Sequence, residues 1–179
     1  AAHQGVAAFA AAHEYAEMDD IFALAESRNE SPFIVVCDSL EDPHNLGAIL
    51  RSAEAAGVHG VIIPKRNSVT LNYTVAKTSA GAIEYVPVVK VANLPAAIDE
   101  LKSRGVWIFG ADMDGTDYTA LDYSGSIALV IGSEGKGIGR LVREKCDFIA
   151  SLPMRGKINS LNASVAAGIL MFEAAKHRN

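Results

Sequence analysis

The sequence has little of what would mark several common functional classes. It contains only two cysteines, Cys37 and Cys146, and both lie in apolar stretches without the spacing of metal ligands. We therefore expect reduced core thiols and no disulfide, as in cytoplasmic proteins. A membrane-spanning helix needs about 18 consecutive apolar residues, and no such run is present. The first residues also lack the charged-then-apolar order of a signal peptide. These absences predict a cytoplasmic protein without a metal or membrane partner.

Positive charge is also scarce, and its distribution is uneven. The net charge is −5, and residues 1–30 account for all of it with six acidic residues and one arginine. Six basic residues come late in the chain: Lys136, Arg140, Arg143, Lys145, Arg155 and Lys157. Such a group would suit contact with phosphates. On charge alone, the favoured interpretation is that these six residues lie on a solvated helix and two loops.

Hydrophobic residues, by contrast, make up 50% of the 179 residues and occur in short runs that alternate with helical patterns. We expect residues 1–31 to form an attachment segment with a helix at about 13–25, and residues 32–179 to form one compact domain. Buried strands are expected at residues 33–37, 61–63, 83–89, 106–109, 127–131 and 148–152. This alternation predicts an α/β fold with a mainly parallel six-stranded sheet and helices on both faces. In such sheets ligands bind at the carboxyl ends of the strands.

The loop after the first strand leads into a helix that carries Asn45 and Arg51. Arg51 falls among small and apolar residues, so we expect it to lie along a packed surface with an anionic partner. That partner would be either a phosphate or one of two carboxylates of the protein, Asp38 and Asp42. His44 in the same loop is interpreted as a surface residue.

A glycine-rich loop follows the fifth strand. Residues 132–139 contain four glycines, which allow the backbone to approach a ligand closely. The pattern is out of place for a Rossmann fingerprint, which follows the first strand, and Lys136 is out of place for a P-loop. Glu134 within the loop would repel phosphate. We therefore expect a ligand that is cationic or rich in hydrogen-bond donors.

A row of small polar residues precedes the last helix, which we expect at residues 160–176. The row comprises Asn159, Ser160, Asn162 and Ser164. Ser160 is the expected N-cap, and the free N–H groups of the first turn would suit a carboxylate or carbonyl ligand. A plain capped helix is the alternative. Residues 112–125 are interpreted as a turn-rich loop, because their aspartates are out of register with a calcium-binding EF-hand.

Three motifs, in order along the chain, carry a specific resemblance. Residues 45–53 read NLGAILRSA, residues 129–138 read LVIGSEGKGI, and residues 152–166 read LPMRGKINSLNASVA. Over residues 33–178 the chain resembles the SpoU/TrmH branch of the SPOUT methyltransferases, which transfer a methyl group to a ribose 2′-OH of RNA. The resemblance implies a C-terminal trefoil knot, S-adenosylmethionine as methyl donor, and a homodimer with its site near the interface.

Within that branch the chain is most similar to the bacterial enzymes that methylate a guanosine ribose in 23S rRNA. Residues 42–45 (DPHN) carry this likeness, and residues 3–6 (HQGV) resemble the joint after the N-terminal RNA-binding domain of those enzymes. We expect that domain to precede residue 1. A tRNA substrate and a non-catalytic RNA-binding or dimerisation module are the alternatives. A dinucleotide-dependent oxidoreductase is disfavoured because the glycine loop is misplaced.

The resemblance also implies roles for individual residues. Catalysis would involve Arg51, Asn45, Glu134, Ser160 and Asn162. The cofactor would be held by Gly132, Leu152, Leu161, Thr78, Ser79, Gly81, Ile131, Ser133, Gly137, Ile138 and Met154. RNA would be contacted by Arg51, Lys136, Arg140, Arg155 and Lys157. Arginine is a poor base because its pKa exceeds about 12, so Arg51 would act either at the reacting hydroxyl or as a clamp on the adjacent phosphate.

Overall fold

The computed structural model describes residues 14–66 and 71–178, which form six strands and six helices largely in alternation. The strands are β1 (Phe33–Cys37), β2 (Gly60–Pro64), β3 (Val88–Val91), β4 (Trp107–Asp117), β5 (Ile127–Ile131) and β6 (Phe148–Ser151). The helices are α1 (Met18–Ser27), α2 (Pro43–Ala56), α3 (Tyr73–Thr78), α4 (Leu94–Ser103), α5 (Arg140–Lys145) and α6 (Ala163–Ala175). None of these described helices has the length and apolarity needed to cross a membrane.

All six strands join one parallel sheet in the order β3-β2-β1-β5-β4-β6. β1 and β5 lie at its centre, and every residue of both strands is buried. Successive residues of β1 point to opposite faces. Phe33, Val35 and Cys37 pack with α2, α3 and α6, whereas Ile34 and Val36 pack with α1, α4 and α5. The predicted parallel six-stranded sheet with helices on both faces is therefore confirmed.

The third strand is shorter than expected. β3 begins at Val88, because Ala82–Glu84 form a 3₁₀ turn within the stretch predicted as a strand at 83–89. Pro87 has no N–H group to donate to a ladder, so it marks the boundary. Its carbonyl still accepts the N–H of Val61 at 2.9 Å, which aligns the two strands.

The fourth strand is longer than expected, so the predicted loop at 112–125 is wrong over residues 112–117. β4 pairs with the edge strand β6 up to Asp117, with an irregular register between Ala111 and Thr116. The Ser151 hydroxyl donates to the carbonyl of Asp112 at 2.6 Å and accepts the N–H of Gly115 at 2.8 Å. These two bonds hold the irregular stretch against β6.

The last helix begins later than expected. α6 starts at Ala163, and its N-cap is Asn162, whose side-chain oxygen accepts the N–H groups of Ser164 and Val165 at 3.0 and 3.3 Å. The prediction that Ser160 caps this helix is therefore wrong, because the free amides lie within reach of Asn162 instead. Residues 152–162 connect β6 at the sheet edge to α6, which packs against α2.

The segment before β1 packs on the sheet. The N–H of Ala16 donates to the carbonyl of Val88 at 2.8 Å. Ile21 of α1 is fully buried, and a Cβ on Gly60 would lie 2.3 Å from its side chain. The helix expected at 13–25 is found at Met18–Ser27. The likeness at residues 3–6 lies outside the described residues.

His59 is buried between the start of β1 and the start of β2. Its ring is 1% exposed, and Nδ1 accepts the backbone N–H of Phe33 at 2.9 Å. The ring proton therefore sits on Nε2, which donates to Oε1 of Glu30 at 3.0 Å. Burial lowers the pKa of His59, and this effect outweighs the opposing effect of the Glu30 carboxylate. A second proton, on Nδ1, would remove the acceptor for Phe33.

We predict that this histidine makes the fold less stable in acid. Because the pKa of His59 is lower in the folded chain, the unfolded chain binds the proton first. The stability that neutral His59 contributes above about pH 6.5 is therefore lost as the pH falls below that value. His59→Asn should flatten the change in urea midpoint between about pH 7.5 and pH 5.5. The matched control is His44→Asn, since that side chain is 70% exposed. An unaltered pH dependence in the His59 variant would assign the effect to another group.

Candidate active site

The irregular stretch of β4, the loops that follow β5 and β6, and the start of α6 enclose a cleft of about 490 Å³ at the carboxyl edge of the sheet. Small-molecule sites commonly have volumes of about 300–1,000 Å³ and occupy this edge of parallel sheets. Ten of the predicted site residues line the cleft: Ile131, Gly132, Ser133, Glu134, Lys136, Gly137, Leu152, Met154, Ser160 and Leu161. The second and third motifs therefore form one site.

One side chain, that of Asn162, links the three motif segments, and we call its contacts the Asn162 junction. Its amide nitrogen donates to Oε1 of Glu134 at 2.7 Å and to Oδ1 of Asn45 at 3.1 Å. Its oxygen caps α6. A side-chain amide has two N–H donors, so both are used within the protein. The junction joins the start of α2, the glycine loop and the start of α6.

Glu134 lies at the N-terminus of α6. Its Oε1 also accepts the N–H of Ala163 at 3.3 Å. A carboxylate is favoured there because the first amides of this 13-residue helix carry partial positive charge. Glu134 thus has a structural role at the start of α6, in addition to the role in ligand binding that the sequence suggested. Its second oxygen, Oε2, makes no hydrogen bond to any described residue.

The glycine loop, residues 132–139, is folded closely on itself. The N–H of Gly137 donates to the carbonyl of Ser133 at 3.0 Å. A Cβ on Gly132 would lie 2.1 Å from the carbonyl oxygen of Gly137, so a larger residue there would displace the loop. Gly137 has a φ of +68°, which glycine adopts without strain. The backbone of this loop forms one wall of the cleft.

A second wall, which we call the acidic wall, is formed by Asp112 and Asp114 of β4. Asp112 pairs with Arg143 at 2.6 Å, whereas Asp114 has no ion pair within the described residues. Neither residue was predicted for the site, because both fall in the stretch predicted as a turn-rich loop. Their position after an apolar strand, at the ligand-binding edge of the sheet, was the available signal. Asp114 and Glu134, which form no ion pair within the described residues, make the cleft suitable for a cationic ligand.

No metal site or reactive thiol accompanies this cleft in the described part of the chain. Residues 14–66 and 71–178 contain no group of three or more His, Cys, Asp or Glu side chains that would hold a metal ion. Cys37 and Cys146 are free thiols. Burial raises the pKa of Cys37 to about 12 and that of Cys146 to about 11, so both stay protonated at neutral pH.

Four predicted cofactor residues lie outside the lining of the cleft: Thr78, Ser79, Gly81 and Ile138. Thr78 packs on α2, where a Cβ on Gly47 would meet its Oγ1 at 1.8 Å. Ser79 is fully buried and donates to the carbonyl of Ala76 at 2.9 Å. Ile138 packs in the core on the face of the sheet that α1, α4 and α5 cover. Tertiary packing places residues 78–81 beside α2, so their role in holding the cofactor stays a prediction.

Arg51 is exposed on α2 and makes no ion pair or hydrogen bond within the described residues. The two carboxylates considered as its partners are used elsewhere. Asp38 accepts the N–H of Gly139 at 2.7 Å, and Asp42 caps α2 through the N–H of His44 at 2.8 Å. The internal ion pair is thus not formed, and the expectation that Arg51 lies along a packed surface is wrong. Its guanidinium faces solvent outside the cleft.

The late basic residues fall into two groups. Arg143 is paired with the acidic wall, Lys145 lies 2.8 Å from Asp99, and Arg140 lies 3.7 Å from Glu144. Three others are exposed and unpaired among the described residues: Lys136, Arg155 and Lys157. Lys136 lines the cleft, and Arg155 and Lys157 adjoin residues that line it, so the cleft has both carboxylates and positively charged side chains nearby.

Comparison with known proteins identifies relatives over the whole chain. The model of the SpoU rRNA Methylase family matches residues 32–172. A Bacillus subtilis protein named as a TrmH family tRNA/rRNA methyltransferase, YacO, is 57% identical over 178 residues. The match covers 99% of this chain and 72% of that protein.

Solved structures share the fold. The SpoU methyltransferase AviRb from Streptomyces viridochromogenes, in complex with the cofactor AdoMet, is 30% identical with a TM-score of 0.76. The match covers 82% of this chain and 60% of AviRb, so the chain spans less than two thirds of that protein. The TrmH/SpoU tRNA modifying enzyme of A. aeolicus is 29% identical with a TM-score of 0.73, over 88% of this chain and 81% of that one. These likenesses confirm the SPOUT fold with its C-terminal trefoil knot.

The segments that meet at the Asn162 junction are those on which the sequence resemblance rested. The family model spans all three of them. With a 57% identical relative covering almost the whole chain as well, the chain belongs to the SpoU/TrmH family of RNA methyltransferases.

Proposed function

We propose that this chain transfers the methyl group of S-adenosylmethionine to a ribose 2′-OH of RNA. The cleft beside the Asn162 junction carries this proposal, because the second and third family motifs line it and it has the volume of a small-molecule site. AviRb, which shares the fold, was solved with AdoMet. Titration of the chain with S-adenosylmethionine by calorimetry tests the proposal, and the absence of binding would favour a non-catalytic RNA-binding or dimerisation module.

The residues of the cleft fit this cofactor. S-adenosylmethionine supplies a methyl group on a positively charged sulfur. The backbone near Gly132, Leu152 and Leu161 would hold its adenine and methionine ends, and Ile131 and Met154 would give apolar cover. The acidic wall suits the positive charge of the ligand.

The chain's own polar groups would place the ribose and accept its hydroxyl proton. The Asn162 junction holds Asn45 and Glu134 in place, and Oε2 of Glu134, which accepts no hydrogen bond from the described residues, is available as an acceptor. Ser160 adds a hydroxyl to the lining of the cleft. Arg51 lies six residues after Asn45, about 9 Å further along α2. Because a guanidinium stays protonated and binds phosphate in a bidentate manner, we favour Arg51 as a clamp on the phosphate beside the target ribose.

The substrate we propose is a guanosine of 23S rRNA, with tRNA as the alternative. Residues 42–45 (DPHN) support this choice. The exposed basic residues at the cleft, Lys136, Arg155 and Lys157, would contact the RNA backbone together with Arg51 and Arg140. Any RNA-binding domain before residue 1 would add affinity. Methylation of transcripts of 23S rRNA and of tRNA by the full-length protein, followed by mapping of the modified nucleotide, distinguishes the two substrates.

We also propose that the chain acts as a homodimer. Val165, Ile169 and Phe172 of α6 are 50%, 36% and 50% exposed, although they are apolar and share one side of the helix. The small residues of α6 are already used inside the chain: Ala167 is fully buried, and a Cβ on Gly168 would lie 3.7 Å from the Ser52 hydroxyl. The exposed stripe is therefore the part of α6 that a second copy would cover.

We predict that charges on this stripe separate the dimer. Val165→Glu combined with Phe172→Glu should give a particle of about 18.9 kDa by light scattering, whereas the wild-type chain should give twice that mass. The matched control is Leu141→Glu on α5, since Leu141 is 55% exposed outside α6 and should not affect assembly. A monomeric wild-type chain at micromolar concentration would contradict this assignment.

We predict that Arg51→Ala and Arg51→Lys both slow methyl transfer about a hundredfold or more, because the target ribose would lose the clamp that positions its hydroxyl. Because Arg51 is exposed and unpaired within the described residues, the melting temperature and the affinity for S-adenosylmethionine should not change. Single-turnover methylation of an rRNA fragment by the full-length protein measures the rate. Arg28→Ala, at another exposed arginine, is the control. A well-folded Arg51→Ala enzyme with a near wild-type rate would remove Arg51 from the mechanism.

We predict that Gly132→Ala weakens binding of S-adenosylmethionine about tenfold or more, because an added Cβ displaces the glycine loop. The matched control is Gly156→Ala on the same cleft, where an added Cβ would meet no atom within 4 Å. Calorimetric titration of both variants compares the two affinities. Equal affinities would show that the glycine loop is not a wall of the cofactor site.

A further inference from the structure

The glycine loop is tied to the rest of the chain by two carboxylates. Near its start, Glu134 binds the Asn162 junction and the N–H of Ala163. At its end, the N–H of Gly139 donates to Oδ2 of Asp38 at 2.7 Å, across 101 residues of sequence. The first anchor belongs to the family motifs described above, whereas Asp38 has no role in the site so far.

Asp38 is itself firmly placed. It follows β1 directly, and its N–H donates to the carbonyl of Ile131 at 2.7 Å, which continues the β1–β5 pairing past the end of β1. Its Oδ1 accepts the hydroxyl of the adjacent Ser39 at 3.3 Å. Asp38 forms no ion pair within the described residues and does not line the cleft. Among the described residues, the Gly139 amide is therefore the one hydrogen-bond donor to this carboxylate from outside its own loop.

The Asp38 contact lies where the glycine loop becomes helix α5. Gly139 is the N-cap of α5, and its carbonyl accepts the N–H of Arg143 at 2.9 Å. A Cβ on Gly139 would lie 3.3 Å from the Asp38 carboxylate, so the two groups are closely packed. An N–H bond to a carboxylate is stronger than one to a neutral acceptor. Asp38 thus connects the junction of the glycine loop and α5 to the end of β1.

We infer that Asp38 is a positioning residue for the cofactor. Its bond to Gly139 fixes the loop that forms one wall of the cleft, and it does so without touching the ligand. The inference rests on the proposed function only in naming S-adenosylmethionine as the ligand of that wall. The contact itself is a property of the fold.

Three single variants of the full-length protein test this role. Asp38→Ala removes the acceptor and should weaken binding of S-adenosylmethionine about tenfold, as the loss of one hydrogen bond to a charged group does. Asp38→Asn keeps an oxygen that can accept from Gly139, so most of the affinity should return. Asp147→Ala is the control, because that carboxylate accepts the N–H of Ile108 at 2.8 Å and pairs with Lys102 at 3.6 Å, at the amino ends of β4 and β6. It should lower the melting temperature at least as much and leave cofactor affinity unchanged.

Two further readouts separate positioning from general stability. In Asp38→Ala the KM for S-adenosylmethionine should rise, while the rate at saturating cofactor stays near the wild-type value. Hydrogen exchange of the Gly139 amide, measured without any ligand, should be protected in the wild-type chain and fast in Asp38→Ala. Unchanged exchange, wild-type cofactor affinity in Asp38→Ala, or an equal loss of affinity in Asp147→Ala would each overturn the inference. A wild-type chain that does not bind S-adenosylmethionine would instead overturn the proposed function, with the exchange result still deciding the role of Asp38 in the loop.

Discussion

The site depends on the side-chain amide of Asn162. Asn162 is 117 residues from Asn45 and 28 residues from Glu134 in sequence, yet its side-chain nitrogen donates to both of them. The oxygen of the same amide caps α6. Removing this amide would leave Glu134 with a weaker set of donors and the first turn of α6 without its cap. The glycine loop and α6 would then no longer be held together by one side chain. The geometry of the cleft is therefore held by hydrogen bonds between segments that are distant in the chain.

Charges of both signs lie at the cleft. Asp114, Glu134 and Lys136 line it, and Arg155 and Lys157 are exposed beside residues that line it. The nearby carboxylates favour a cation, and the exposed lysines and arginine favour a polyanion. The overall charge of −5 conceals these basic residues, because acidic residues at 1–30 account for that sum. An acidic chain can thus present basic side chains around its cleft.

Several features were determined by the sequence alone. The central strands β1 and β5 were predictable because they are continuous apolar runs, which a parallel sheet buries on both faces. The end of α2 was predictable from Gly57, which adopts a φ of +84° as the helix C-cap. The position of the site followed from polar and glycine-rich segments after strands, since all carboxyl ends of a parallel sheet share one edge. The motifs themselves pointed to the family.

Other features were decided only by the tertiary structure, because they depend on partners that are distant in sequence. β4 extends past Ala111 because Ser151 of a neighbouring strand binds its irregular stretch, and so Asp112 becomes part of the site. Segment 78–81 packs beside α2, although its small polar residues suggested a cofactor wall. Asp38 accepts from a glycine amide instead of pairing with Arg51, which leaves that guanidinium without an ion pair in the part of the chain that the structure describes. Hydrophobic periodicity reports which residues are buried, but the partner of a polar group is chosen by three-dimensional proximity, and no local pattern encodes it.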